Sequence, residues 1–125
     1  MIMNESEGIF KEWLDTQGYP FVFIDQTPIT QSEGFKNKTS RPDFFIKLDN
    51  GSYIIAVDIK QRTLHTKFNT FPINKKTQDR LASFELDFNI PVWVAFTTEA
   101  NAMKVWHWIG IKEIINLGKL LKIPN

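Results

Sequence analysis

The sequence contains no cysteine, only two histidines and no long apolar run, and each shortage excludes a class of protein. Without cysteine there is no disulfide framework, no thiolate zinc site and no thiol nucleophile. The longest apolar stretches, over residues 54–57 and 90–96, are far shorter than the roughly 20 residues that cross a bilayer. Any chemistry must therefore come from carboxylate, lysine, histidine or hydroxyl side chains.

Net charge is also small, because 15 basic residues nearly balance 14 acidic ones. The N-terminal region carries Glu5, Glu7 and Glu12 where a signal peptide would be basic and then apolar. We therefore expect an intracellular, cytoplasmic protein with no membrane partner. Eleven Phe and four Trp among the 125 residues supply the bulk for a core, so we expect one folded domain over residues 1–125.

Hydrophobic periodicity predicts elements in the order α, β, β, β, α, β, β, α. A polar loop is expected over residues 26–41 and a basic connection over 61–72. Several strands, including the first, are apolar on both faces, which requires helices on both sides of the sheet. The predicted fold class is α/β: a three-layer α/β/α sandwich around a central mixed sheet. The predicted helices cover residues 4–17, 73–89 and 111–121, and the predicted strands cover residues 19–25, 44–48, 53–59, 91–96 and 103–109.

Two of these elements carry finer predictions about packing. The second helix is expected to turn Thr77, Leu81, Phe84 and Phe88 toward the core, because these residues share one face. Trp106 and Trp108 in the last strand are expected to pack in the core or at a dimer contact rather than to stack on bases.

Asn50 and Gly51 lie between two apolar strands, and Asn-Gly is the strongest short-range signal of a β-hairpin. A two-residue loop there sets a register in which Asp43 lies opposite Asp58. A longer loop with a bulge would place Asp43 opposite Val57 instead. Like charges directly opposite each other are destabilising. The pair must therefore be solvated, share a proton or bind a cation.

The neighbouring residues favour the cation. Lys60 projects from the same face as Asp58, and the carbonyl of Ile59 lies between these two side chains. Asp43, Asp58 and this carbonyl make an oxygen-only donor set with room for water and phosphate, which is typical of Mg²⁺. Lys60 would lie beside water carried by the ion, an arrangement suited to phosphodiester hydrolysis.

Pro42-Asp43 followed by Asp58-Ile59-Lys60 resembles the motif of the PD-(D/E)XK nuclease superfamily, which contains many restriction endonucleases and Holliday-junction resolvases. The order of elements is similar to that superfamily's restriction-endonuclease-like core, so the resemblance spans nearly the whole chain. It implies that Asp43, Asp58 and the Ile59 carbonyl bind Mg²⁺, with Mn²⁺ as a substitute, and that Lys60 is catalytic.

The resemblance also implies residues on the two helices that flank this motif. Glu7 is the candidate for a catalytic Glu that many members carry on the first helix near the metal. Asn4 and Glu7 also have the spacing of a helix capping box, so a structural role for Glu7 is the other interpretation. Gln78 is the candidate for a Gln that some members carry on the helix after the motif. Gln61 and Arg62 depart from the resolvases, which often have a small hydroxyl residue there.

Basic residues are concentrated on both sides of the motif, where a phosphate backbone would have to pass. A solvated basic loop and helix start would explain the same charges without a ligand. The candidate nucleic-acid-binding residues are Lys36, Lys38, Arg41, Arg62, Lys67, Lys75, Lys76 and Gln78.

These observations lead us to expect a Mg²⁺-dependent endonuclease that hydrolyses DNA, with structure-specific cutting of the Holliday-junction-resolvase type as one form. A homodimer is expected, because so small a domain covers little duplex. The second hypothesis is a nucleic-acid-binding module that has the fold but little or no turnover. The third is a structural protein whose carboxylate pair is solvated. The sequence points to no particular recruiting protein.

Overall fold

The computed structural model describes residues 3–24, 41–48, 53–61, 73–98 and 105–121, with the side chains of the last segment described as far as residue 116. These segments form helices on both sides of a sheet. The helices are α1 (Glu5–Gln17), α2 (Lys75–Phe88) and α3 (Ile111–Leu121). The strands are β1 (Phe21–Phe23), β2 (Phe44–Leu48), β3 (Tyr53–Gln61), β4 (Val92–Thr97) and β5 (His107–Gly110).

The five strands form one sheet in the spatial order β1-β2-β3-β4-β5. β3 and β4 run parallel, and the other neighbouring pairs are antiparallel, so the sheet is mixed. The parallel pair is joined through α2, as a parallel pair requires a crossover connection. β3 therefore lies in the middle of the sheet, with β2 on one side and β4 on the other.

Side chains of successive strand residues alternate between two apolar clusters, one on each face of the sheet. On one face, Phe10 and Leu14 of α1 pack against alternate residues of β2 and β3, Val57 among them. On the other face, Leu81 of α2 and Ile111 of α3 pack against the intervening residues of β3 and β4. The predicted three-layer α/β/α sandwich is confirmed.

Both long helices begin and end where local residue chemistry favours it. Asn4 caps α1, and Gly18 ends the helix with φ of 78°, a left-handed conformation that glycine adopts without strain. Asn74 caps α2, and Asn89 ends it with φ of 54°. Asparagine is favoured at N-caps and is the commonest substitute for glycine at the other end, so these bounds follow from the sequence.

Two predictions about burial are wrong. β1 was expected to be buried on both faces, but Val22 is 62% exposed. Within the described residues β1 is an edge strand, so only Phe21 and Phe23 reach the cluster under α1. Phe88 was expected to face the core, but it ends α2 half-exposed and packs on Phe84, with ring centroids 4.6 Å apart.

The last strand is shorter than predicted, because Val105 and Trp106 precede the first paired residue, His107. The predicted loop over 26–41 and connection over 61–72 lie outside the described residues except at their ends, Arg41 and Gln61, and Gln61 belongs to β3 instead of the connection. The hairpin turn over 49–52 also lies outside the described residues. In the described part of the chain, each helix is too short or too polar to cross a membrane.

Candidate active site

The register of β2 and β3 is the one that a two-residue turn predicts. Residue pairs run from Leu48 and Tyr53 to Phe44 and Val57 without a shift. One residue later the pattern changes, because the N–H of Asp43 donates to the carbonyl of Val57 over 2.9 Å. The predicted pairing of Asp43 opposite Asp58 is therefore wrong at the backbone, because Asp43 contacts Val57 as a bulge would, while residues 44–48 keep the register of a two-residue turn.

Asp43 does not continue the regular pairing of β2 with β3, and its carboxylate contacts the backbone of β3. Its Oδ2 accepts a hydrogen bond from the N–H of Ile59 over 2.7 Å. Asp43 is 8% exposed and Asp58 is 5% exposed, so both carboxyl groups are buried. Buried carboxyl groups need a partner, because desolvation of an isolated charge is costly.

Lys60 supplies one such partner. Its Nζ lies 2.9 Å from Oδ2 of Asp58, and the Lys60 side chain is 19% exposed. The contact shows that these side chains project from the same side of β3, as the alternation of strand residues predicts. The ammonium group is therefore held by a buried carboxylate while remaining accessible from the pocket.

The backbone of Ile59 faces Asp43. In an antiparallel pair, the N–H and C=O of one residue point to the same neighbouring strand. Because the Ile59 N–H points to Asp43, its carbonyl is also directed to the β2 side, past the last paired residue of that strand. The third oxygen of the predicted donor set therefore lies on the same side of β3 as Asp43.

Glu7 has the structural role that its spacing from Asn4 predicts. It completes a capping box, since its N–H donates to Oδ1 of Asn4 over 2.8 Å and its Oε1 accepts the Asn4 N–H over 3.0 Å. Its carboxylate also lies near that of Asp43 and raises the pKa of that group. The first turn of α1 therefore brings a third carboxylate to the end of β2 and β3.

Crowding of these acids changes the ionisation of Asp43. Burial raises the pKa of Asp43 to about 9, with further increases from the charges of Asp58 and Glu7, while the Ile59 N–H hydrogen bond opposes the change. Asp43 therefore binds a proton at neutral pH when no cation is present. Even with Lys60 nearby, the pocket is short of positive charge.

These groups line one open cavity of about 450 Å³ at the N-terminal end of α1. Within the described residues, no three acidic or histidine side chains form a ready-made metal cluster. Two aspartates with a carbonyl still fit Mg²⁺, which usually takes few protein ligands and keeps several waters. The residues that line the cavity are Asn4, Glu5, Ser6, Glu7, Asp43, Asp58, Ile59, Lys60 and Gln61.

The predicted nucleic-acid-binding residues that the structure describes do not all lie at the cavity. Lys75 and Lys76 lie in the exposed first turn of α2, where Lys75 pairs with Asp79 at 3.3 Å. The amide of Gln78 does not line the cavity but donates to the carbonyl of Ile73 over 2.8 Å. Arg41 is half-buried just before β2. Lys36, Lys38, Arg62 and Lys67 lie outside the described residues.

Sequence reasoning missed several residues of the cavity wall. Gln61 lines it because β3 continues two residues beyond its predicted end. Ser6 is buried in the first turn of α1, and its Oγ donates to Oδ1 of Asn4 over 2.9 Å. The sequence could not show that the first turn of α1 faces a pocket. First turns of helices are usually polar whether they face a pocket or solvent.

The paired tryptophans pack against α1, but only partly in the core, because Trp108 remains 38% exposed. The ring centroids of Trp106 and Trp108 are 5.0 Å and 5.6 Å from that of Phe10, which is fully buried. Both rings therefore help to fix α1 on the sheet.

Comparison with known proteins supports this architecture through structure rather than sequence. No family model matches the sequence, and no curated protein matches it. A solved structure that resembles it is Hjc, a Holliday junction resolvase from the archaeal hyperthermophile Archaeoglobus fulgidus. The TM-score is 0.59 at 16% sequence identity, covering 85% of this chain and 74% of that chain. The mixed sheet with its flanking helices is thus similar to the fold of a resolvase-type nuclease.

Proposed function

We propose that this protein is a metal-dependent endonuclease that hydrolyses DNA phosphodiester bonds in the cavity at the start of α1. The observation that carries the proposal is the pair of buried aspartates with a lysine ammonium 2.9 Å from one of them. The likeness in fold to a Holliday junction resolvase supports DNA as the substrate. Structure-specific cutting is the form of the activity that this likeness favours.

Asp43, Asp58 and the Ile59 carbonyl are the residues that would hold Mg²⁺ or Mn²⁺, with Glu7 close to them. A divalent ion bound there would acidify water and neutralise charge on the phosphate. The oxygen-only donor set suits these hard cations. The high pKa of Asp43 supports the same assignment, because a cation would stabilise the ionised carboxylate that burial and the nearby acids disfavour.

Lys60 is the residue proposed to act on the substrate directly. In hydrolysis, a water oxygen forms a bond to phosphorus and the bond to the leaving sugar oxygen breaks, while negative charge grows on the non-bridging oxygens. The Lys60 ammonium, anchored by Asp58, can donate a hydrogen bond to the attacking water or to a non-bridging oxygen. Either role makes its charge necessary in the transition state.

The proposal includes a homodimer, in which a second copy of the chain supplies a second active site. One domain of 125 residues covers a short length of duplex, and cutting both strands of a branched substrate requires two active sites. We propose that the lysines at the start of α2 bind the phosphate backbone near the cavity. These assignments predict a homodimer on DNA.

The test is a cleavage assay on plasmid, four-way-junction, single-stranded DNA and RNA substrates, with Mg²⁺, Mn²⁺ or EDTA. Lys60→Ala should lower the metal-dependent rate at least about 100-fold, because a donor aimed at the developing charge is lost. Lys47→Ala is the matched control, since Lys47 is an exposed lysine on the adjacent strand β2 and does not line the cavity. Its rate should equal that of the wild type.

The absence of metal-dependent products on every substrate would overturn the nuclease assignment. A gel-shift assay on the same preparations then tests whether the chain binds nucleic acid without cutting it. Binding without cleavage would make the chain a nucleic-acid-binding module with a nuclease-like fold. A rate that Lys47→Ala and Lys60→Ala lower equally would remove Lys60 from the reaction.

A further inference from the structure

The hydrogen bonds at the start of α1 lie beside the cavity. Ser6 Oγ donates to Asn4 Oδ1, and the Asn4 N–H donates to Oε1 of Glu7. Glu7 lines the same cavity as Asp43, whose carboxylate accepts the Ile59 N–H. The helix cap therefore fixes a carboxylate that shares the cavity with the proposed metal-binding residues.

We propose that Asn4 is a positioning residue for this site: as the N-cap of α1, it holds the Glu7 carboxylate in the orientation that faces Asp43. The inference rests on the proposed function, since it concerns the same metal-binding cavity. Asn4 itself touches neither metal nor substrate in this scheme. It acts by fixing Glu7 from both the side-chain and the backbone side.

α2 shows that a cap of this kind does not by itself require a carboxylate. Asn74 caps α2 in the same way, accepting the Thr77 N–H over 2.8 Å, and Thr77 occupies the position that Glu7 occupies in α1. Asn74 thus caps α2 although no carboxylate accepts its own N–H from the third residue of the helix. In α1 the Glu7 carboxylate does so, in addition to the side-chain cap.

The charge of Glu7 is also more than capping needs. A capping box works with Gln as well as with Glu, because a neutral side-chain oxygen accepts the same N–H. Here the Glu7 carboxylate lines one cavity with the carboxylates of Asp43 and Asp58, and their mutual repulsion is a cost in the absence of a cation. A bound cation turns that cost into an attraction, so both the charge and its fixed direction serve the metal site.

Buried Ser6 strengthens the same orientation. Oδ1 of Asn4 accepts from Ser6 Oγ over 2.9 Å as well as from the Glu7 N–H over 2.8 Å. Two donors on one oxygen hold the asparagine side chain in a single rotamer. Ser6 is 5% exposed, so water competes little for its hydroxyl group.

The experiment separates the cap from the charge in the full-length chain. Mn²⁺ affinity is measured by calorimetry without DNA, and stability by the urea midpoint, for Asn4→Ala, Asn4→Ser, Glu7→Gln and the matched control Asn74→Ala. Asn4→Ala should lower the urea midpoint at least as much as Asn74→Ala, because each loses one N-cap and Asn4→Ala also leaves the Ser6 hydroxyl without its acceptor. Asn4→Ala should also weaken Mn²⁺ binding by about 10- to 100-fold, because the first turn that places Glu7 loses its side-chain cap even though the backbone N–H at position 4 remains.

Three further results complete the test. Glu7→Gln should weaken Mn²⁺ binding while keeping the urea midpoint, and Asn4→Ser, which can still cap, should restore the affinity. Equal Mn²⁺ affinities for Asn4→Ala and Asn74→Ala would overturn the positioning role and leave the nuclease proposal standing. A wild-type chain that binds no Mn²⁺ would overturn both.

Discussion

The first turns of α1 and α2 have the same capping geometry but opposite charge. Asn4 has φ −75° and ψ 175°, and Asn74 has φ −71° and ψ 157°. The first turn of α1 carries Glu5 and Glu7, whereas that of α2 has no acidic residue and begins with two lysines. The helix dipole favours acids at this position and disfavours lysines, so only α1 follows that rule.

The surroundings of the two first turns explain their difference in charge better than the helix dipole does. The start of α1 lines a cavity that already holds buried aspartates, so its acids add to a local excess of negative charge. The start of α2 is exposed, and Lys75 pairs with Asp79 one turn further on. The cap sets where each helix begins. Under the proposed function, the charge of the first turn matches a different ligand at each end, a cation at α1 and a polyanion at α2.

The largest expected effect of a single substitution concerns the ring that holds α1 on the sheet. Phe10→Ala should lower the free energy of unfolding by about 3–5 kcal/mol, because it removes a fully buried ring that contacts Phe44 and Trp106. Phe84→Ala in α2 should cost a similar amount, since Phe84 is 4% exposed. Urea unfolding of both variants measures the two losses.

The Phe10 and Phe84 variants differ in what they should do to the site. Only the loss of Phe10 loosens the helix whose first turn lines the cavity, so only Phe10→Ala should also weaken Mn²⁺ binding at temperatures where both variants are folded. An equal effect of Phe84→Ala would show that the cavity depends on the whole sandwich rather than on α1.

The next effect is a pH dependence of stability in the absence of metal. The pKa of Asp43 is raised from 3.8 to about 9 in the folded state, so the folded chain keeps a proton that the unfolded chain releases. The stabilisation is complete below pH 4 and is lost as the pH rises toward 9. In EDTA the free energy of unfolding should fall by up to about 1.4 kcal/mol per pH unit in this window.

Asp43→Asn should flatten this slope, because the amide stays neutral at every pH in the window. Asp79→Asn is the matched control, since Asp79 is an exposed carboxylate on α2, and its slope should equal that of the wild type. Urea midpoints between pH 5 and 8 provide the measurement. A wild-type slope no steeper than that of Asp43→Asn would mean that the carboxylates at α1 are solvated, which is the structural-protein hypothesis.

The parts of the fold that were predictable are those set by local chemistry. Bounds of α1 follow from its caps, and the register of β2 and β3 follows from the Asn-Gly turn signal. The edge position of β1 was not predictable from Phe21–Phe23. An apolar run has the same sequence pattern in an edge strand as in a central strand, so the pattern does not show whether a neighbouring strand covers it.

The site divides in the same way. That Asp58 and Lys60 share a face follows from strand alternation, and their nearness to Asp43 follows from the hairpin. The hairpin signal left two positions open for Asp43, and only the structure shows its N–H on the carbonyl of Val57. The place of Glu7 in the same cavity depends on how α1 packs on the sheet, which is set by the whole core rather than by a local pattern.

The smallest expected effect tests the α2 side of the comparison. Lys76→Ala should change the free energy of unfolding by less than about 0.5 kcal/mol, since Lys76 is exposed. If the first turn of α2 meets a phosphate, the same variant should reduce the slope of log binding constant against log salt concentration by about 0.9. Lys112→Ala is the matched control, because Lys112 is an exposed lysine in the first turn of α3, and its slope should stay at the wild-type value. Identical slopes for all three proteins would leave the lysines of α2 as solvated charges, and the two helix starts would then differ only in the cavity that one of them lines.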